Sequence, residues 1–173
     1  LRIQEGPDRI VGGPFADVLG HRPVEHPDVE VVGLQELQAG MQVLSAPEAV
    51  RDAASCQRVA EHFASQQPDV LHVLVASWSF DHYTVEIQQR VGKPVAIRAV
   101  PGIRSGSVVG SMQLGNVLEE IQVPHRLVYS ELYDASAAAE VAAYARACSM
   151  QNKLRGSRLA VVGRRTEGMT PTA

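Results

Sequence analysis

The sequence predicts an α/β protein of the flavodoxin-like class, a three-layer sandwich built around a parallel sheet. Two observations predict this class. Short apolar runs alternate with amphipathic stretches of helical length, and the central run DVLHVLVA (69–76) is almost wholly apolar. A strand that is covered by helices on both faces has this character, so we place this run inside a parallel sheet.

The other elements follow the same alternation. The predicted strands are VEVVGL (29–34), DVLHVLVA (69–76), VAIRAV (95–100), HRLVYS (125–130) and RLAVVG (158–163). The predicted helices cover residues 46–67, 79–92, 105–122 and 135–154. Pro47 suits the first turn of the first helix, and Gly92 suits the end of the second.

Both ends of the chain fit this layout less well. DRIVGG (8–13) has the composition of a first strand, but the proline- and glycine-rich stretch after it interrupts the helix that should follow. Residues 158–163 begin a strand that no helix follows. We therefore expect one N-terminal α/β domain over residues 1–157 and the start of a second, cut-off domain over residues 158–173. A tail without fixed structure is the alternative for the second segment.

Composition bears on whether the protein binds nucleic acid or a membrane. Charged residues make up 20% of the chain, the net charge is −3, and no basic stripe is present, which argues against nucleic acid. No apolar run reaches the roughly 20 residues of a membrane helix, and the N-terminus has no signal-peptide core. We expect a cytoplasmic location, with Cys56 and Cys148 as small buried residues rather than a disulfide.

Parallel sheets bind ligands beyond the carboxyl ends of their strands. Three polar segments are predicted to lie at that edge, at residues 77–82, 101–107 and 130–134. The edge is therefore the predicted position of any binding site.

The first segment contains Trp78, the one tryptophan of the chain. An indole offers a large apolar face and one N–H donor, which suits stacking on the C–H face of a sugar. Asp81 and His82 can hydrogen-bond hydroxyls or act as acid and base. The alternatives are that Trp78 contacts a loop or a subunit, that Asp81 caps or compensates the next helix, and that His82 is a surface residue.

The second segment combines glycines, Arg104, Ser105 and Ser107 immediately before a helix. Backbone N–H groups at such a position attract anions, and Arg104 adds a forked donor. The alternative is a glycine-rich turn that allows a close helix contact. Gln113, about two turns further along, is a further candidate for substrate contact, with a surface role as its alternative.

Metal and nucleophile motifs are absent from the sequence. None of the six histidines forms HxxxH or HExxH, and there is no GxSxG elbow. His72 lies inside a predicted strand and is expected to be a satisfied core residue. On its own residues the chain does not contain a complete catalytic site.

Three stretches in order carry a resemblance to a known family: VASWSFDHYT, GKPVAIRAVPGIRSGSVVGSMQLGNVL and QNKLRGSRLAVVGRRTEGM. Together they resemble the N-terminal domain of L-fucose isomerase and its L-arabinose isomerase-like relatives. The match covers a little over half of the chain.

The resemblance implies a metal-dependent enzyme that interconverts aldoses and ketoses through an enediol, usually with manganese. It implies that the two acidic residues and the histidine that hold the metal belong to later domains, so that this segment alone is inactive. It also implies that the N-terminal domain closes over the active site of a neighbouring subunit, where the tryptophan matching Trp78 recognises the monosaccharide.

The N-terminus departs from the family pattern, because residues 1–28 do not show its usual first strand, arginine-containing turn and helix. The leading hypothesis is a substrate-recognition and oligomerisation domain of such an isomerase. A stand-alone flavodoxin-like module that binds a small molecule or an anion without catalysis is the alternative. A purely structural domain, with Trp78 in a subunit contact, is a third.

Overall fold

A computed structural model describes residues 8–14, 41–102, 105–131, 134–158 and 160 of the chain. The strands are β1 (Asp8–Pro14), β2 (Met41–Ser45), β3 (Val70–Val75), β4 (Val95–Ala99) and β5 (His125–Tyr129). The helices are α1 (Ala53–Gln66), α2 (Asp81–Val91), α3 (Ser107–Glu120) and α4 (Ala135–Arg155). In this part of the chain, none of the helices has the length and apolar character needed to cross a membrane.

The five strands form one parallel sheet in the order β2-β1-β3-β4-β5. This is the flavodoxin-like strand order. β2 lies on one side of β1, whereas β3, β4 and β5 follow on the other side, so the order in which strands are added reverses at β1. Pro14, at the end of β1, pairs with Leu74, near the end of β3. The loop after β3 therefore begins at the reversal point, which is where open α/β sheets place their ligands.

Helices cover both faces of the sheet and complete the three layers. On one face, buried side chains of α1, α2 and α3 pack against alternate side chains of β3 and β4. The largest members of this cluster include Phe63, Leu71, Ile87, Ile97, Leu114 and Leu118. The other face carries α4, with Val70, Ala96, Val128, Val141 and Ala145. The predicted flavodoxin-like three-layer sandwich is therefore confirmed.

Most of the predicted elements are present, with some corrected boundaries. The strands predicted at 69–76, 95–100 and 125–130 are confirmed, and DRIVGG lies within β1. The first strand that DRIVGG indicated is therefore present as β1. The segment 29–34 and nearly all of 158–163 lie outside the described residues. β2 was not predicted.

The predicted start of the first helix is wrong. The helix begins at Ala53, not at residue 46, so Pro47 lies before it rather than in its first turn. Asp52 and Ser55 form a reciprocal cap: Asp52 Oδ1 accepts from the Ser55 N–H at 2.7 Å, and Ser55 Oγ accepts from the Asp52 N–H at 3.0 Å. These bonds satisfy the first free amides of the helix and fix its start at this point.

The remaining helices agree closely with the sequence. α2 ends at the left-handed Gly92 as expected, although it begins at Asp81 rather than Ser79. α3 and α4 lie within one or two residues of their predicted bounds. Cys56 and Cys148 are both buried and free, as predicted.

The cap of α1 predicts a dependence of stability on pH. Hydrogen bonds from the Ser55 backbone and side chain hold the pKa of the Asp52 carboxyl below its ordinary value. A lowered folded-state pKa stabilises the fold above the unfolded-state pKa, and this contribution is lost as the pH falls through the folded-state pKa. We expect Asp52→Ala to be less stable than the wild type near neutral pH, with the difference closing below about pH 4. Urea unfolding of both proteins across this pH range gives the difference in their free energies of unfolding. A difference that stays constant down to low pH would contradict the prediction.

Candidate binding site at the carboxyl edge of the sheet

The loop after β3 is held against the start of α3 by backbone contacts. The Trp78 N–H donates to the Ser105 carbonyl at 2.7 Å. Gly106, the residue before α3, has a φ of +66°, and a Cβ on it would lie 2.9 Å from Trp78 Cβ. A Cβ on Gly110, one turn later, would lie 3.4 Å from Trp78 Cα. Only glycine combines this backbone conformation with so close an approach at position 106, so Trp78 has a fixed place at the edge.

Ser107, a predicted substrate contact, is fully buried beneath this loop. Its hydroxyl donates to the Val75 carbonyl at the end of β3 and accepts from the Val100 N–H at 2.9 Å, just after β4. The side chain joins the ends of two neighbouring strands to the first turn of α3. Its place is therefore structural, below the surface that a ligand would touch.

The Ser105 hydroxyl bridges the turn that precedes α3. Ser105 Oγ donates to the Gly102 carbonyl at 2.8 Å and accepts from the Ser107 N–H at 3.3 Å. The Ser105 hydroxyl thus takes one of the helix-start amides that an anion would use. Arg104, the cation predicted to assist such an anion, lies outside the described residues.

Four aromatic rings form a cluster around the loop and the start of α2. Phe80 is at its centre, with ring centroids 5.1 Å from Trp78, 5.5 Å from His82 and 6.4 Å from Tyr83. The Trp78 and Phe80 rings meet edge to face at 66°, a favourable geometry for aromatic pairs. Trp78 is half-buried, whereas Phe80 keeps 42% of its surface exposed despite these contacts.

Two of the predicted site residues meet directly. Asp81, the first residue of α2, accepts a hydrogen bond at its Oδ2 from Gln113 Nε2 of α3 at 3.0 Å. The cap position itself is Phe80, which makes no side-chain capping bond. Asp81 therefore supplies negative charge in the first turn of α2, one of the two roles that the sequence left open. Gln113 is exposed, and His82 lies exposed beside the ring cluster.

The titratable groups nearest the core show no arrangement for nucleophilic or metal chemistry. Across the described ranges, no group of three or more His, Cys, Asp or Glu side chains is placed to hold a metal ion. Burial raises the pKa of the Cys56 thiol to about 12, with a further contribution from Glu86, and its Sγ faces the Tyr83 carbonyl. A thiol with so high a pKa is a poor nucleophile at neutral pH.

His72 lies in β3 as predicted, but it is not the satisfied core residue that we expected. Its Nε2 atom is buried and has no hydrogen-bond partner in the structure as described. Burial, and next the positive charge of Arg98, lower its pKa to about 4. The imidazole is thus neutral at physiological pH.

Sequence reasoning placed Phe80 and Gly106 in segments at this edge but named neither as a site residue, and it did not single out Gly110. Phe80 stands between Trp78 and Asp81 in the sequence, so its proximity to two candidates was the available signal. The glycine-rich turn indicated a close helix contact, but the sequence did not show that its partner is Trp78, in a loop distant in the chain.

Neither a protein-family model nor a curated protein matches the sequence.

The approach of Gly106 to Trp78 gives a test with a matched control. Gly92 has nearly the same left-handed backbone, with a φ of +69°, but a Cβ there would meet nothing within 4 Å. We expect Gly92→Ala to cost about 1 kcal/mol of backbone strain, and Gly106→Ala to cost more because its methyl also displaces Trp78. Urea unfolding measures the cost, and tryptophan emission measures the displacement. Equal destabilisation with unchanged emission in both variants would contradict the geometry.

Proposed function

We propose that this chain is the N-terminal substrate-recognition and oligomerisation domain of a metal-dependent aldose–ketose isomerase of the L-fucose/L-arabinose isomerase-like kind. One observation carries the proposal: the chain's single indole lies half-buried just after β3, beside the exposed ring of Phe80, at the reversal point of the sheet. That is the place where a parallel sheet binds small molecules.

The chemistry of this edge suits a monosaccharide. Aromatic faces accept the apolar C–H surface of a sugar ring, while a carboxylate and an amide satisfy its hydroxyls. Trp78 and Phe80 supply the rings, and Asp81, Gln113 and His82 supply polar groups around them. Ser105 belongs to the neighbouring turn, Arg104 precedes it in the sequence, and Ser107 supports the edge from beneath.

The domain's part in the proposed reaction is to bind and orient the sugar. The resemblance implies a manganese ion, and in the proposal the acidic and histidine residues that would hold it belong to later domains. In the proposal the edge faces the active site of a neighbouring subunit in a cytoplasmic homo-oligomer.

The role of Trp78 can be tested by calorimetric titration with L-fucose and L-arabinose. We expect Trp78→Ala to weaken binding by about fivefold or more, because a lost aromatic contact costs roughly 1 kcal/mol. In the intact isomerase, kcat/KM for the sugar should fall by a similar factor. Leu154→Ala, which removes an exposed apolar side chain from α4, is the control and should bind like the wild type.

Two results would overturn the proposal. The first is that Trp78→Ala binds and turns over sugar within about twofold of the wild type. The second is that inorganic phosphate binds, sugars do not, and Trp78→Ala has no effect. This second result would favour the stand-alone anion-binding module.

A further inference from the structure

We propose that the Asp81–Gln113 pair recognises two adjacent hydroxyls of the sugar, with Phe80 as the apolar surface beside them. The ligand class is then a monosaccharide with an intact vicinal diol along one edge. This inference rests on the proposed function and deepens it, because it assigns the polar recognition to residues of this chain.

The pair is assembled from two helices. Asp81 begins α2 and Gln113 lies in the second turn of α3, and the 3.0 Å hydrogen bond between them crosses the helix–helix contact. The bond uses one carboxylate oxygen and one of the two amide N–H groups. Asp81 Oδ1, Gln113 Oε1 and the second N–H take no part in this bond.

These remaining atoms match a diol. Each hydroxyl of a sugar both donates and accepts a hydrogen bond, so adjacent hydroxyls need an acceptor and a donor side by side. The carboxylate accepts a charge-assisted hydrogen bond, which is stronger than a neutral one, and the amide donates the second. Because the two side chains already hold each other in place, less conformational entropy is lost when the sugar binds.

Phe80 places an apolar surface next to this pair. It precedes Asp81 in the chain, and three rings support it, yet it stays 42% exposed. An exposed apolar ring beside a fixed donor–acceptor pair matches the two surfaces of a sugar, its C–H face and its hydroxyl edge. In this arrangement Trp78 supports Phe80 from one side as well as offering its own exposed surface.

The test compares L-fucose with its monodeoxy analogues, each lacking one hydroxyl of a vicinal pair, by calorimetric titration of the full chain. We expect the wild type to bind at least one analogue about tenfold more weakly than L-fucose, because a polar group that the bound sugar covers is then left unpaired. Gln113→Leu should bind L-fucose about tenfold more weakly and should no longer distinguish that analogue. Asn116→Ala, which truncates an exposed amide on the next turn of α3, is the control and should behave like the wild type.

The outcomes separate this inference from the function on which it rests. If Trp78→Ala weakens L-fucose binding but Gln113→Leu keeps the wild-type affinity and discrimination, the diol assignment is wrong and sugar recognition stands. If L-fucose and L-arabinose do not bind, or bind equally to Trp78→Ala, both fall. Asp81→Asn gives a second variant that keeps the shape of the pair but removes its charge, and unchanged L-fucose affinity in this variant would also overturn the assignment.

Discussion

The site depends on one buried hydroxyl. Ser107 Oγ joins the carbonyl that ends β3 to the amide that follows β4, at the point where α3 begins. Both loops of the candidate site leave the sheet from these two strands. Because the hydroxyl donates to one strand end and accepts from the other, both groups are satisfied in the interior, where an unpaired polar group is costly. The spacing of the loops above it is fixed by this contact.

Above Ser107, close backbone contacts position the loop after β3 against α3, and the polar side chains of the candidate site come from α2 and α3. Gly106 and Gly110 let α3 approach Trp78, and the Trp78 amide bonds to the Ser105 carbonyl. The same approach brings Gln113 of α3 to Asp81 of α2. An aromatic surface and a donor–acceptor pair thus lie at one edge, where α3 packs against the Trp78 loop and bonds to α2. This convergence is the physical basis of the sugar-recognition proposal.

Sequence reasoning predicted the layers and the edge well, because both follow from local patterns. The apolar run of β3 and the polar, aromatic residues after it indicated where the strand ends and where Trp78 lies. β2 was missed because MQVLS has no apolar run longer than two residues, whereas β4 contains VAI and β5 contains LVY. The predicted start of α1 was wrong because the Asp52–Ser55 cap sets where the helix begins, and Pro47 lies before it. The Gly106–Trp78 contact and the burial of Ser107 depend on tertiary neighbours, which no local pattern reports.

The most direct test of this account compares two buried serines of the same helix. Ser107 is bonded on both sides, whereas Ser111 Oγ is buried with no hydrogen-bond partner in the part of the chain described. Ser107→Ala should lower the free energy of unfolding by about 1–3 kcal/mol and speed hydrogen exchange at the Trp78 amide. Ser111→Ala should be neutral or stabilising, with exchange at Trp78 unchanged. Equal stability of the two variants, with equal protection of the Trp78 amide, would contradict the central role of Ser107.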